Sequence, residues 1–406
     1  MMRTLFERLR RVWPALWLAA LVVGCGGGGG LGLGLAGGDG STGGVGSGGT
    51  GTFAMGPISG YGSIVVNGVR YDISQLGSVP QDDDGNARDA TTLQLGTVVR
   101  VEAGPIDRSV SPPRAVASAV AVTSEVVGPV ESAVDDATGR TLQVAGQTVR
   151  IQNGTTVLDD RLSAGGPLPG DWVEVYGTID SAVAPAHIVA TRVEPHAANG
   201  ARVRGTVTEL GATSLRIGNG IYGFAGGTRP AGVALGSLVQ LRLQGSTGDW
   251  QVGTVTDTPA APTEVEVAHV EGRVASLISA TSFVVDGLTV DAGAVSTTGL
   301  AVGKKVEVEG PIRNGVLVVT SLQVKTEDDS NEEVEPFEFH GTIATVDNVA
   351  RTFTLSGRSE LFRVGNGTTY EEGSLANVVA GMRVEMRGTL NADGRSIDVL
   401  RIHFER

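Results

Sequence analysis

Beyond residue 52, apolar and polar positions alternate with period two in short runs that end at glycines or polar turns. Segments such as Ser321-Leu-Gln-Val-Lys325 and Asp398-Val-Leu-Arg-Ile-His-Phe404 place apolar side chains on one strand face and polar ones on the other. One phrase recurs five times: a glycine, apolar residues at +3 and +5, and a closing glycine. It reads Gly96-Thr-Val-Val99-Arg-Val101, Gly170-Asp-Trp-Val173-Glu-Val175, Gly236-Ser-Leu-Val239-Gln-Leu241, Gly303-Lys-Lys-Val306-Glu-Val308 and Gly381-Met-Arg-Val384-Glu-Met386. The closing glycines are Gly104, Gly177, Gly245, Gly310 and Gly388. The opening glycines recur every 66 to 78 residues, so the repeating unit is a small domain. The residue between the two apolar positions is Glu, Arg or Gln, which predicts a face turned toward water.

Each repeat carries four further strand-like segments. Ile64-Val-Val-Asn67-Gly68-Val-Arg-Tyr71 and Phe283-Val-Val-Asp286-Gly287-Leu-Thr-Val290 read as hairpins with two-residue turns. Leu142-Gln-Val-Ala-Gly146 and Phe353-Thr-Leu-Ser-Gly357 are looser versions. Five strands per unit with little helix predict an all-β chain of tandem small five-stranded OB-like barrels. A two-sheet sandwich is the alternative; closure is preferred because it removes sheet edges. The units are expected at 53–125, 126–196, 201–258, 264–326 and 337–406, with an acidic linker at 327–336. No spacer separates the first two, which predicts rigid packing there.

Composition changes the picture mainly at the N-terminus. Four arginines (Arg3, Arg8, Arg10, Arg11) precede an apolar run, Val12–Val23, too short to span a bilayer comfortably as a permanent helix. Leu21-Val-Val-Gly-Cys25 resembles the lipobox of bacterial lipoproteins. That resemblance implies a signal peptide at 1–24, cleavage before Cys25 and acylation of this lone cysteine. The membrane is then a partner through the lipid anchor. With Gly26 rather than an acid after the cysteine, the expected place is the outer membrane of a bacterial envelope, facing the periplasm or the surface. Residues 26–51 hold 16 glycines in 26 positions and read, with Cys25 and Thr52, as a flexible Gly-rich tether over 25–52.

The tether, Gly56-Pro-Ile-Ser-Gly-Tyr-Gly-Ser-Ile-Val-Val-Asn-Gly-Val-Arg-Tyr71 and the five Gly-x-x-Val-x-Val phrases resemble a family of proteobacterial lipoproteins. Such proteins are built from tandem copies of an OB-like β-module of unknown function. The resemblance implies fold and location and no chemistry.

Net charge is −13, and −16 once the leader is removed, which disfavours nucleic acid as a partner. The histidines (His187, His196, His269, His340, His403) show no metal-binding spacing and are expected on exposed strands or loops. Gly218-Asn-Gly220-Ile-Tyr-Gly223 matches a nucleotide-loop spacing but sits in a hairpin. No nucleophile elbow is present, so neither an enzyme nor a bound cofactor is expected. Asp82, Asp84, Asn86 and Asp89 surround a glycine and form a calcium candidate without EF-hand spacing, for which a solvated loop is the preferred explanation. Tyr61, Trp172, Tyr176, Tyr222 and Trp250 are candidate stacking platforms for a sugar. The expected function is a non-enzymatic, lipid-anchored envelope protein whose modules serve as spacer or binding array. The alternative is a lipoprotein that contacts polysaccharide or peptidoglycan; an envelope glycan or protein is the expected second partner.

Overall fold

The phrase that counts the modules closes a barrel in each of them. In the computed structural model, which describes residues 51–258, 261–325 and 336–405, all five repeats have the same strand order. Module 2 shows it: Val126–Asp136, Gly139–Val144 and Gln147–Gln152 form an antiparallel meander. His187–Pro195 then pairs parallel to the third strand and antiparallel to Trp172–Asp180, which returns to the first. The sheet therefore closes as 1-2-3-5-4-1.

The same ring is formed in module 1 by Thr52–Tyr61, Ile64–Val66, Val69–Asp72, Val98–Ala103 and Arg114–Val122. Module 3 uses Arg202–Leu210, Ser214–Ile217, Gly220–Phe224, Leu238–Ser246 and Asp249–Asp257. Module 4 uses Glu264–Leu277, Ser282–Val285, Leu288–Asp291 and Lys305–Arg313, with its fifth strand split into Val316–Val318 and Ser321–Val324. Module 5 uses Phe337–Asp347, Thr352–Leu355, Leu361–Glu371, Arg383–Leu390 and Ser396–Glu405. The chain is all-β, built of tandem OB-like barrels, as the sequence predicts. The leader, Cys25 and most of the tether lie outside the described residues, as does the acidic linker apart from Pro336.

The opening glycine has a specific task. Gly96, Gly170, Gly236, Gly303 and Gly381 all have positive φ, between 76° and 95°, a region where a side chain is strained. That geometry sends each glycine N–H to a carbonyl on its module's first strand: Ile58, Val130, Val207, Val274 and Ile343, at 2.8–2.9 Å. Each of those residues donates its own N–H back to the residue after the glycine at 2.8–2.9 Å. The +3 and +5 side chains then fall inside, and all ten are no more than 1% exposed.

In modules 1 to 3 the residue between them does not face water, whereas Glu307 and Glu385 in modules 4 and 5 stay partly exposed. Arg100, Glu174 and Gln240 are buried, at 8%, 1% and 1% exposure, because neighbouring modules cover that barrel face. The modules are packed into one body, within a single compact unit, Ser47–Arg406. The first strand of module 1 is the hub. Its start pairs parallel with module 4 (Thr52↔Val267 to Met55↔Val270), and its end pairs parallel with module 5 (Gly60↔Glu338, Tyr61↔Phe339). Modules 2 and 3 join through Val126–Val127 and Arg202–Val203. Cores merge accordingly: Phe53 and Met55 lie in the core of module 4, and one cluster runs from Ile58 and Tyr61 to Phe339 and Phe362.

Candidate ligand cleft between three modules

The short turns between second and third strands dock these barrels onto one another. Asn67–Gly68, Ala145–Gly146 and Asp286–Gly287 all have positive φ at both positions, the two-residue turn that matches strand twist. Asn67 Nδ2 donates to the carbonyl of His269 in module 4 at 2.9 Å. Tyr222 of module 3 donates to the carbonyl of Ala145 at 3.0 Å. Asp286 Oδ1 accepts from Arg204 Nη1 of module 3 at 2.7 Å.

Two charged centres hold modules 1 to 4 together. In one, Glu174 accepts from Arg88 at 2.7 and 2.8 Å and from Arg202 at 2.6 Å. In the other, the Arg204 guanidinium, 1% exposed, reaches Glu125 at 2.8 Å as well as Asp286. Burial pushes the Glu125 carboxyl up to about 8, against the pull of Arg204. Glu174 is lowered overall: burial raises it, but Arg202 and Arg88 outweigh that.

The calcium candidate belongs to this assembly. Asp82 Oδ1 accepts the backbone N–H groups of Asp84 and Asn86, at 3.0 and 2.8 Å, which folds the loop on itself. Asp84 Oδ1 accepts from Gln240 at 2.6 Å and lies 2.9 Å from Arg242, while Asp89 caps a short helical turn through Thr91. The Asp82–Asp84 side of the loop is thus packed, with Asp84 against module 3, while Gly85, Asn86 and Asp89 remain exposed as a solvated loop would be. The carboxylates of Asp82, Asp84 and Asp89 do not converge on one point; among the described residues only His340, Glu385 and Glu405 bring three ligand atoms within 4.8 Å of one another. There Arg70 of module 1 lies against His340 Nε2, and Arg383 and Arg401 pair with Glu405 and Glu385, at 3.0 and 3.8 Å. Burial, then Arg70, lowers the His340 pKa.

The histidines are not exposed as expected. His269 is 5% exposed at the contact of modules 1 and 4, because the hub strand covers it; the other four are half-buried. The stacking candidates are also structural. Tyr61, Tyr176 and Tyr222 are at most 1% exposed and Trp250 is 8% exposed, and Trp172 is half-buried against the core of modules 2 and 3. Trp250 donates to Glu131 of module 2 at 2.6 Å, and Gln147 of module 2 donates to Tyr222 at 2.5 Å. These rings anchor interfaces.

What sequence reasoning missed is a cleft of about 630 Å³ where modules 1, 2 and 5 meet, within the size range of ligand sites. Module 1 contributes the turn Thr91–Leu95, module 2 the segment Val157–Arg161 with Arg192 and Glu194, and module 5 the loop Gly357–Glu360 with Arg395. Tyr61 joins the walls: its hydroxyl donates to Glu360 Oε1 at 2.6 Å and accepts from the Leu95 N–H at 2.7 Å. The Arg358 guanidinium lies 3.6 Å above the Tyr61 ring, a cation–π contact. Burial, then Glu360, raises the Tyr61 pKa well above the usual phenol range. Arg192 bridges Asp159 at 2.7 Å and Glu194 at 3.1 Å, and Arg395 donates to the carbonyls of Leu162 and Ser163 at 3.0 and 2.6 Å. Two buried side-chain polar atoms of the lining have no hydrogen-bond partner: Glu360 Oε2 and Arg395 Nε. No local sequence signal marks this site, because it is assembled from three modules far apart in the chain.

Comparisons agree with the repeats. Residues 127–194, 271–322 and 340–398, within modules 2, 4 and 5, match the family model "Domain of unknown function (DUF5666)". Modules 1 and 3 lie outside those segments and share the strand order. No curated protein matches. Among solved structures, the chain is similar to a multidomain protein with nucleic acid binding domains from Streptococcus pneumoniae TIGR4. Identity there is 10% and TM-score 0.13, over 49% of this chain and 72% of that one.

Proposed function

We propose that this chain is a non-enzymatic, lipid-anchored protein of the bacterial envelope whose five barrels act as one ligand-binding body. The supporting observation is the cleft between modules 1, 2 and 5, which exists only because three modules are held in register. An extended spacer has no need of buried charge pairs between its units, since desolvating them costs several kcal/mol per ion, on the order given for protein interiors. The anchor rests on the lipobox resemblance at Cys25 and the glycine-rich stretch after it.

A second reading, that the ligand is an envelope polysaccharide or peptidoglycan, is favoured by the mixture of hydroxyl, guanidinium and carboxylate groups on the cleft wall. The net charge of −13 argues against nucleic acid as a ligand. Retention of the full-length protein on isolated sacculi or immobilised envelope polysaccharide tests binding; no retention on any glycan removes the second reading. Metabolic labelling with an alkyne fatty acid tests the anchor: wild type should label and Cys25→Ala should not. Equal labelling of both would refute it.

A further inference from the structure

We propose that the three-module cleft binds a hydroxyl-rich glycan segment, with Glu360 Oε2 accepting a hydrogen bond from a sugar hydroxyl or amide. The inference rests on the glycan-contacting reading above and adds the site and the recognising atom.

The argument begins with donor and acceptor numbers. The Tyr61 hydroxyl has one proton, yet two acceptors lie in reach: Glu360 Oε1 at 2.6 Å and Gln94 Oε1 at 3.0 Å. The proton goes to the nearer, charged oxygen. Glu360 is 6% exposed, and its Oε2 has no partner. A buried carboxylate oxygen left unpaired is costly, so this corner needs a donor that the protein does not supply. The terminal torsion of a glutamate is broad, so a small swing turns Oε2 toward a ligand at the wall, and Oε1 shifts by the same amount on the Tyr61 hydroxyl.

The rest of the lining selects the ligand class. Its arginines 161, 192, 358 and 395 balance Asp159, Asp160, Glu194 and Glu360 in formal charge, so the cleft has no excess charge to recruit a phosphate or a polycation. Arg192 is already satisfied by Asp159 and Glu194, and Arg358 lies over the Tyr61 ring. Hydroxyls of Thr91 and Ser359 lie on exposed residues of the lining. Alternating donors and acceptors without net charge suit a ligand that offers many hydroxyls of both kinds. The pocket of about 630 Å³ accommodates a ligand of several rings.

The test is calorimetric titration of the full-length protein in detergent with cellotetraose, chitotetraose and the fully deacetylated chitotetraose, alongside hydrogen-exchange footprinting. At least one tetrasaccharide should bind and protect Gly357–Glu360 and Asp159–Arg161. Glu360→Gln should weaken binding tenfold or more. Because that change could loosen the Tyr61 contact, Ser359→Trp serves as a second variant: it fills the cleft from an exposed position and should abolish binding at unchanged melting temperature. Glu209→Gln, on an exposed face of module 3, which lines no part of the cleft, should bind as wild type. Binding that neither variant weakens, with protection elsewhere, overturns the cleft assignment and leaves the glycan reading standing. If no tetrasaccharide binds, the inference falls; if sacculi and envelope polysaccharide also fail to retain the protein, the glycan reading falls with it.

Discussion

The Tyr61 hydroxyl donates to Glu360 Oε1 at 2.6 Å, linking the first barrel to the last across 299 residues of sequence. The same oxygen accepts the Leu95 N–H, so a single phenol ties the hub strand, the turn before the fourth strand and the final module. Tyr61→Phe leaves two buried polar groups without this partner and should cost about 1–3 kcal/mol in chemical denaturation. Combined with Glu360→Gln, the losses should be non-additive by about 0.5 kcal/mol or more, since the two residues share one bond. Strict additivity would contradict the contact.

Opening glycines should differ in cost according to what lies beside them. Gly381 has φ 88° with open space where a Cβ would stand, so Gly381→Ala should cost only the left-handed backbone penalty, roughly 1–2 kcal/mol. A Cβ at Gly96 would sit 2.3 Å from the Thr191 carbonyl oxygen in module 2. Gly96→Ala must also push two modules apart and should be clearly worse than Gly381→Ala by thermal melting.

Removing one partner of the buried Glu174 centre should be severe. Glu174→Gln leaves Arg88 and Arg202 without their shared carboxylate and should destabilise by about 3–5 kcal/mol, measured by denaturant unfolding. A loss below 1 kcal/mol would show that the interface is hydrated in solution.

Glu125 gives the chain a pH dependence of definite sign. Its carboxyl is raised from an ordinary 4.5 to about 8, so between those values the folded state holds a proton that the unfolded chain has released. Stability from this group is therefore complete below pH 4.5 and is lost as pH rises toward 8. Across that window the wild type should therefore lose melting temperature relative to Glu125→Gln, set against the rise that the lowered pKa values of His187, His269 and His340 contribute at its acid end. A wild-type profile that rises from pH 5 to 8, unchanged by the substitution, would contradict this assignment.

The barrel was legible in the sequence because it depends on local rules. Period-two alternation, Asn67-Gly68 and Asp286-Gly287 turns, and the Gly-x-x-Val-x-Val phrase each report on a few adjacent residues. Even Ala145, no turn former by type, adopts φ 46° next to Gly146, because the strand register demands it. The packing of barrel on barrel was not legible. Arg100, Glu174 and Gln240 look like a wet strand face, and Asp82-Asp83-Asp84 like a wet loop, until another module covers them. Tyr61 and Tyr222 read as sugar platforms for the same reason: their type suits a surface, and their partners lie tens to hundreds of residues away. The cleft is a product of this long-range packing and has no sequence signature of its own.

The central claim is that the barrels form one body pinned by the hub strand, and cutting the chain tests it most directly. A specific protease site inserted within residues 326–335 allows module 5 to be severed after folding. The parallel pairing of Gly60–Tyr61 with Glu338–Phe339 and the Tyr61–Glu360 bond predict that 336–406 stays with the remainder on size exclusion, at low micromolar concentration. Elution of the fragment as a separate, folded barrel would contradict the account.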